Sequence, residues 1–197
     1  MPGRAGPSQA TVTRSRSLVV FGGLPGTGKT TLASRTAARL SAAYVRIDAI
    51  EAALWSAGLP AQEPTGLGAY VAAEAVAEGS LDAGCSVVID AVNPIELARQ
   101  AWRRLAERTA APLSVIEVVC SDEAEHRRRV ESRTPDLEGH RVPTWREVAE
   151  REYEPWHEPR LRVDTAVEDA DASVERILEY VGRGVPENRV GNGSPRW

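Results

Sequence analysis

The sequence predicts a doubly wound α/β layer fold, in which helices cover both faces of a parallel sheet. Short β-rich runs alternate along the chain with helical patterns, and this alternation is typical of right-handed crossovers between parallel strands. Most of the runs are continuously apolar, as expected for strands covered on both faces. A glycine-rich motif at residues 23–30 lies between the first run and a helical pattern.

The predicted strands are rich in Val, Ile and Leu, and they span residues 18–22, 43–47, 86–90, 113–120 and 161–163. Local signals begin two of the helices. Asn93, followed by Pro94 and Glu96, predicts an N-cap for a helix that extends to Glu107. Thr144 and Glu147 have the spacing of a capping box. The last helix is predicted from an apolar stripe at i, i+3, i+4 and i+7, formed by Val174, Ile177, Leu178 and Val181.

The composition favours one globular domain. The chain has 197 residues, of which 42% are hydrophobic and 26% charged. We expect a disordered leader over residues 1–15, a folded domain over 16–183 and a disordered tail over 184–197, because both ends are rich in Gly, Pro and Ser.

The net charge and the number of cysteines limit the classes of binding partner and the cellular compartment that the sequence favours. A net charge of −4 gives no general attraction to nucleic acid, and no apolar run approaches the length of a membrane span. The two cysteines, Cys85 and Cys120, open and end predicted buried strands and are expected to be buried free thiols. The sequence thus favours a cytoplasmic protein.

The motif at residues 23–30 fits G-x-x-x-x-G-K-[ST], the pattern of a P-loop that binds ATP or GTP. Its glycines let main-chain N–H groups face phosphate oxygens, and the next helix adds its N-terminal dipole. Lys29 would reach the β- and γ-phosphates, and the Thr30 hydroxyl would ligate Mg²⁺. The predicted nucleotide-binding residues are Gly23, Leu24, Pro25, Gly26, Thr27, Gly28, Lys29, Thr30 and Thr31.

Two aspartates follow predicted strands, where ligands bind in such sheets. Asp48 follows the second strand and either activates an acceptor hydroxyl or caps the next helix. Asp90 ends the third strand and either holds Mg²⁺ or acts as a strand-end cap.

A basic helix is predicted to begin near Asp122 and to carry Arg127, Arg128, Arg129 and Arg133. Arg129 and Arg133 are four residues apart and would share one helix face. They either clamp the transferred phosphoryl group or belong to a solvated basic face. Residues 134–144 are polar, contain glycine and proline, and are predicted to form a lid. The histidines have no metal-ligand spacing.

Three tryptophans, Trp55, Trp145 and Trp156, could line a pocket, but core packing is the preferred interpretation.

The order of these motifs resembles the AAA_33-type group of small kinases with a nucleoside-monophosphate-kinase-like fold. That group includes zeta toxins, chloramphenicol phosphotransferase and the kinase domain of polynucleotide 5′-kinases. The resemblance covers residues 17–181 and rests on GGLPGTGKTTLA, RIDAI, VVIDAVNP, RRRVESR and TWREV. It implies a five-stranded parallel sheet of order 2-3-1-4-5. It also implies that Asp48 activates the acceptor hydroxyl and that Arg129 and Arg133 are the lid arginines, with Arg128 as the alternative.

One residue departs from the group's pattern. Kinases that accept a hydroxyl beside a phosphate often carry an arginine three residues after the base, where this chain has Glu51. A carboxylate there would repel an acceptor phosphate. The leading hypothesis is therefore an ATP- and Mg²⁺-dependent kinase for a small hydroxyl compound such as a sugar, an antibiotic or a metabolite. The alternatives are a polynucleotide 5′-hydroxyl kinase, in which Arg46 would replace the missing arginine, and a nucleotide-dependent regulatory ATPase.

Overall fold

A five-stranded parallel sheet organises the structure, a computed structural model that describes residues 16–60, 65–137 and 141–183. Its strands are β1 (Leu18–Gly22), β2 (Ala43–Arg46), β3 (Val87–Asp90), β4 (Leu113–Val119) and β5 (Leu161–Asp164). They lie in the order β2-β3-β1-β4-β5, and every neighbouring pair is parallel. The predicted strands and their order are confirmed, with ends that shift by at most one residue.

Helices connect the strands and cover the sheet. In chain order they are α1 (Lys29–Leu40), α2 (Ile47–Ser56), α3 (Thr65–Asp82), α4 (Glu96–Thr109), α5 (Glu123–Glu131), α6 (Trp145–Ala149) and α7 (Ala170–Arg183). The capping box that begins α6 is confirmed: the Thr144 hydroxyl accepts from the Glu147 amide, and the Glu147 carboxylate accepts from the Thr144 amide. None of the helices in the described ranges combines the length and apolar character that crossing a membrane requires.

Two apolar clusters lie on opposite faces of the sheet, as a doubly wound fold requires. On one face, Leu18, Val20 and Ile89 pack against α2, α3 and α4. On the other, Val19 and Phe21 pack against α1 and α7. Adjacent β1 residues therefore serve different clusters, because successive side chains of a strand point to opposite faces.

Small side chains bring α3 close to the sheet. Ala69, Ala73 and Ala77 recur every four residues, so they share one helix face, and all three are fully buried. They belong to the cluster on the α2–α4 face of the sheet. Leu67, Val71 and Val76 of the same helix are exposed.

Asn93 is not the N-cap of α4, which corrects the sequence-based prediction. The helix begins at Glu96 and has Ile95 in the cap position. Asn93 is fully buried and has a positive φ of 51°. Its side-chain amide donates to the Phe21 carbonyl, and its Oδ1 accepts from Trp102 Nε1. The side chain is thus used to join β1 to α4 and is not available to cap a helix.

Arg99 fixes the segment that follows α6. This buried arginine donates to the carbonyl oxygens of Pro155 and Glu154 at 2.8 and 2.6 Å. Its guanidinium lies 3.9 Å from the ring centre of Trp156, a distance typical of a cation–π contact. Trp156 is itself buried, so core packing is confirmed for this tryptophan.

The two cysteines are not buried, contrary to the prediction. Cys85 is exposed and Cys120 is partly exposed. Cys85 follows the turn after α3, and Cys120 lies one residue beyond the end of β4, so both lie outside the covered part of the sheet. The predicted leader, 1–15, and tail, 184–197, lie outside the described residues.

Candidate active site

The glycine-rich motif forms a tight loop between β1 and α1. Gly23, Gly26 and Gly28 have φ angles of 145°, 84° and 88°, which side chains other than glycine rarely adopt. A Cβ atom on Gly23 would lie 2.2 Å from the Val118 carbonyl oxygen, and one on Gly26 would lie 2.5 Å from Val130 Cγ2. Glycine is therefore required at both positions by backbone angle and by space. Because α1 begins at Lys29, its N-terminal amides face this loop.

Lys29 and Asp90 form a buried ion pair beneath the loop. Lys29 Nζ lies 2.5 Å from Asp90 Oδ1, and the side chains are 8% and 1% exposed. Burial alone would raise the pKa of Asp90, but the Lys29 charge and hydrogen bonds from Lys29, Tyr44 and Thr30 hold it below its ordinary value. Asp90 is therefore an ionised carboxylate at the carboxyl end of β3.

Tyr44 is a residue that sequence reasoning did not select. Its hydroxyl donates to Asp90 Oδ2 at 2.7 Å. Burial raises the pKa of the Tyr44 phenol, and the negative charge of Asp90 raises it further. The contact arises because β2 and β3 are neighbours in the sheet, so the pairing of the strands is the signal that would have identified it.

Thr30 and Asp90 suit a magnesium ion. The Thr30 hydroxyl bonds the Asp90 carboxylate, which puts two oxygen donors together at the start of α1. Mg²⁺ prefers oxygen ligands and is usually held by one or two protein groups together with phosphate oxygens and water. The donor set at this point fits that description.

Asp48 lies in the first turn of α2, just beyond β2. Because α2 already begins at Ile47 and has Arg46 in the cap position, Asp48 does not cap the helix. Its side chain is 24% exposed, and Oδ2 lies 3.5 Å from Arg46 Nη2. The carboxylate thus has a neighbouring positive charge and access to solvent.

Arg46 links this carboxylate to the predicted lid. Its Nη1 donates to Asp136 Oδ2 at 2.5 Å, and its side chain is only 9% exposed. Arg133 Nη2 donates to the other oxygen of Asp136 at 3.1 Å. Hydrogen bonding to Arg46 depresses the pKa of Asp136, and the bond to Arg133 acts in the same direction. We call Arg46, Asp48, Arg133 and Asp136 the lid-base cluster.

Arg129 has a different environment from Arg133. Its Nη1 donates to the Thr165 hydroxyl at 2.7 Å, and its Nη2 donates to the Thr165 carbonyl at 3.1 Å. The Thr165 hydroxyl in turn donates to the carbonyl of Thr27 in the glycine-rich loop at 2.8 Å. Because α5 ends at Glu131, Arg133 lies beyond the helix. The expectation that Arg129 and Arg133 share one helix face is therefore wrong.

Arg127 and Arg128 lie on the exposed side of α5. Their guanidinium groups pair with Glu131 and Glu125, and their side chains are 59% and 67% exposed. For these two arginines, the alternative of a solvated basic face is therefore correct.

The family follows from a match to the chain itself. The AAA_33 family model, described as an AAA domain, matches residues 18–154. The chain belongs to the AAA_33 family. No curated protein sequence matches it.

Solved structures share the fold of this AAA_33 chain. The APS kinase CysC of Mycobacterium tuberculosis, in complex with AMPPNP and APS, superimposes with a TM-score of 0.63 and 18% identity, covering 85% of this chain and 98% of that one. A gluconokinase from Sinorhizobium meliloti 1021 gives 0.61 and 20%, covering 86% and 94%. Kti12 of Chaetomium thermophilum, in complex with ADP-AlF3, gives 0.65 and 22%, covering 86% and 99%. The AAA_33 chain thus shares one fold with these three proteins.

A cleft of about 890 Å³ opens beside the P-loop of the AAA_33 chain. Pro25 of the P-loop, Asp48, Glu51 and Arg133 all line it. Trp55 lines it as well, so the preference for core packing is wrong for this tryptophan. Trp145 is half-buried, and its ring meets the His126 ring edge-on with 5.2 Å between centres.

Proposed function

We propose that this chain is an ATP- and Mg²⁺-dependent kinase that transfers the γ-phosphate to a hydroxyl group of a small molecule. The observation that carries the proposal is that Asp48 and the P-loop residue Pro25 line one cleft. A hydroxyl compound in that cleft would lie between a carboxylate and the phosphate-binding loop. We also propose that the protein acts in the cytosol.

The P-loop would hold the triphosphate through its main-chain amides and the N-terminus of α1. When ATP binds, Lys29 would leave Asp90 and contact the β- and γ-phosphates. Its positive charge would then stay close to the γ-phosphoryl group during transfer. Mg²⁺ held by Thr30 and Asp90 would neutralise charge on the β- and γ-phosphate oxygens. Tyr44 would keep the Asp90 carboxylate oriented.

Asp48 would orient the acceptor hydroxyl and accept its proton. The hydroxyl oxygen forms a bond to the γ-phosphorus while the bond to the β,γ-bridging oxygen breaks, and ADP leaves. Arg133, which lines the cleft, would face the transferred phosphoryl group. Arg129 would act at the P-loop through Thr165 and Thr27. Most of the rate would come from positioning and charge stabilisation.

Labelled ATP and a pooled library of hydroxyl compounds test this proposal. Asp48→Asn should bind ATP as the wild type does and lose about 10²- to 10⁴-fold in transfer rate, the range for a general base. Asp82→Asn, at the exposed end of α3, is the matched control and should keep full activity. Transfer by Asp48→Asn at the wild-type rate would contradict the assigned base. Rapid ATP hydrolysis without any acceptor would favour a regulatory ATPase instead.

A further inference from the structure

Exposed apolar side chains gather along one wall of the cleft. Leu67 and Val71 of α3 and Leu97 of α4 line it and are 59%, 58% and 64% exposed. Exposed apolar residues scattered singly are normal, whereas neighbours lining one concave surface indicate a binding site. Tyr70 of α3, Ala98 and Ala101 of α4, and Ile95 just before α4 also line the cleft. We call these seven residues the apolar wall.

Most of the charged side chains in the cleft already have partners of opposite charge. Glu74 pairs with Arg108 at 2.7 Å, and Arg141 pairs with Glu147. Arg133 pairs with Asp136 at 3.1 Å. Asp48 has Arg46 beside it. Glu51, Arg104 and Arg151 also line the cleft, so its lining holds four carboxylates and four arginines, whose formal charges cancel. The cleft therefore has no excess charge that would favour an ionic acceptor.

The wall and the catalytic carboxylate belong to one cavity. Asp48 is among the lining residues, and so are Leu97 and Val71. Pockets for small ligands are typically 300–1,000 Å³, apolar over most of their lining, with a few polar groups that fix orientation. A cleft of about 890 Å³ lies near the upper end of that range. It is large for a single hexose, which would also leave its hydroxyl groups without partners along the wall.

We propose that the acceptor carries its reacting hydroxyl on an uncharged, mainly apolar body of ring-system size, and that the apolar wall selects it against sugars, polyols and sugar acids. This inference rests on the proposed kinase function. The hydroxyl lies at Asp48, and the body lies against α3 and α4. Burial of the body against the wall supplies affinity in proportion to the apolar area removed from water.

Two matched panels of acceptors test the inference with ATP and Mg²⁺. One contains 2-naphthylmethanol, 3-phenylpropan-1-ol and cyclohexylmethanol, and the other contains glycerol, D-glucose, myo-inositol and D-gluconate. The apolar panel should be phosphorylated with a kcat/KM at least tenfold above that of the polar panel. Higher kcat/KM for the polar panel would overturn the inference and leave the kinase function intact.

Variants of the wall test the same point. Leu67→Asn, Val71→Asn and Leu97→Asn should each raise the KM for 2-naphthylmethanol about tenfold or more, within the range for a lost apolar contact in a specificity pocket. The KM for ATP should stay unchanged. Val76→Asn is the control, because Val76 is 53% exposed on the same helix and is not among the cleft-lining residues. Equal effects of all four substitutions would overturn the inference.

A binding measurement separates this inference from the kinase function. Calorimetry with the AMPPNP-loaded protein should find saturable binding of 2-naphthylmethanol that Leu97→Asn weakens and Val76→Asn does not. Such binding without phosphoryl transfer would support the apolar site while the kinase proposal fails. Absence of both binding and transfer would overturn the inference. Self-association that is seen in sedimentation and abolished by Val71→Asn would also overturn the inference, because the wall would then be an interface between two copies.

Discussion

Lys29 Nζ lies 2.5 Å from Asp90 Oδ1, and both side chains are almost excluded from solvent. The P-loop lysine is therefore held in place by a carboxylate before any phosphate arrives. This pairing joins the first turn of α1 to the end of β3. Substitution of Lys29 should therefore affect both the P-loop and the stability of the folded protein.

Lys29→Ala should abolish transfer, weaken ATP binding and lower the free energy of unfolding by about 3 kcal/mol, because it leaves a buried carboxylate unpaired. The pKa of Asp90 is depressed in the folded protein. The stability it contributes is therefore present above its unfolded pKa, about 4, and is lost as the pH falls through the folded pKa. The difference in stability between wild type and Lys29→Ala should narrow below about pH 4. Urea unfolding of both proteins at pH 3.5 and pH 7 measures the difference in stability at each pH. A difference of the same size at the two pH values would contradict this account.

Tyr44→Phe removes the hydroxyl that donates to Asp90 Oδ2. The loss of one hydrogen bond to a charged group should cost about 1.5–3 kcal/mol of stability. It should also raise the Mg²⁺ concentration for half-maximal activity, because the carboxylate is less well oriented. Thermal unfolding and a Mg²⁺ titration at saturating ATP measure the two effects. Tyr180→Phe, on α7, is the control and should leave the Mg²⁺ titration unchanged.

Thr165→Val removes the hydroxyl that connects Arg129 to the Thr27 carbonyl of the glycine-rich loop and keeps the main-chain contact with Arg129. We expect the KM for ATP to rise about 5- to 30-fold, the equivalent of one or two hydrogen bonds, with a smaller change in kcat. Arg129→Lys should give the same pattern, since lysine cannot reproduce the two contacts of the guanidinium fork. Arg127→Lys, on the exposed face of α5, is the control. A fall in kcat with an unchanged KM for ATP would show that Arg129 acts on the transferred phosphoryl group directly.

Asp136→Asn weakens the lid-base cluster by removing the charge that Arg46 and Arg133 share. We expect faster ATP hydrolysis in the absence of an acceptor, if residues 134–144 act as the predicted lid, because that lid would be held less firmly and water would enter. Since the pKa of Asp136 is depressed, the carboxylate stays ionised above about pH 4. The effect should therefore be constant between pH 5 and pH 8. Asp171→Asn, a surface ion-pair partner on α7, should leave the hydrolysis rate unchanged.

Gly26→Ala tests whether the loop tolerates a side chain. Alanine at a φ of 84° is strained, and its Cβ would collide with Val130 of α5. We expect a loss of stability of at least about 1–2 kcal/mol and a loss of ATP binding, measured by urea unfolding and calorimetry. Gly68→Ala on α3 meets no atom within 4 Å. It should leave ATP binding unchanged and raise stability by about 0.5–1 kcal/mol, because alanine is favoured over glycine inside a helix.

Local sequence signals were sufficient for the strands, the doubly wound class and the nucleotide motif, whereas the strand order came from the family resemblance. Each strand is a short and mostly apolar run of residues. The P-loop is a contiguous motif whose glycines allow the backbone angles that it needs. The capping box at Thr144 is likewise a signal within four residues. In each case the residues that decide the structure are close together in the chain.

Contacts between distant segments were not predictable in the same way. Tyr44 meets Asp90 only because β2 and β3 are neighbours, and Arg46 meets Asp136 across 90 residues. Asn93 has the composition of a helix cap, yet its side chain joins β1 to α4. A local pattern could not distinguish these uses, since the competing partners come from other elements.

The alanine face of α3 has a consequence for how substrate range can diverge. Ala69, Ala73 and Ala77 pack on the sheet, whereas Leu67 and Val71 of the same helix line the cleft. A larger residue on the sheet-facing side of α3 would displace the helix and change the shape of the cleft without altering the residues that line it. Substitutions on the sheet-facing side of α3 would therefore change specificity during evolution, together with the loss of stability that overpacking causes.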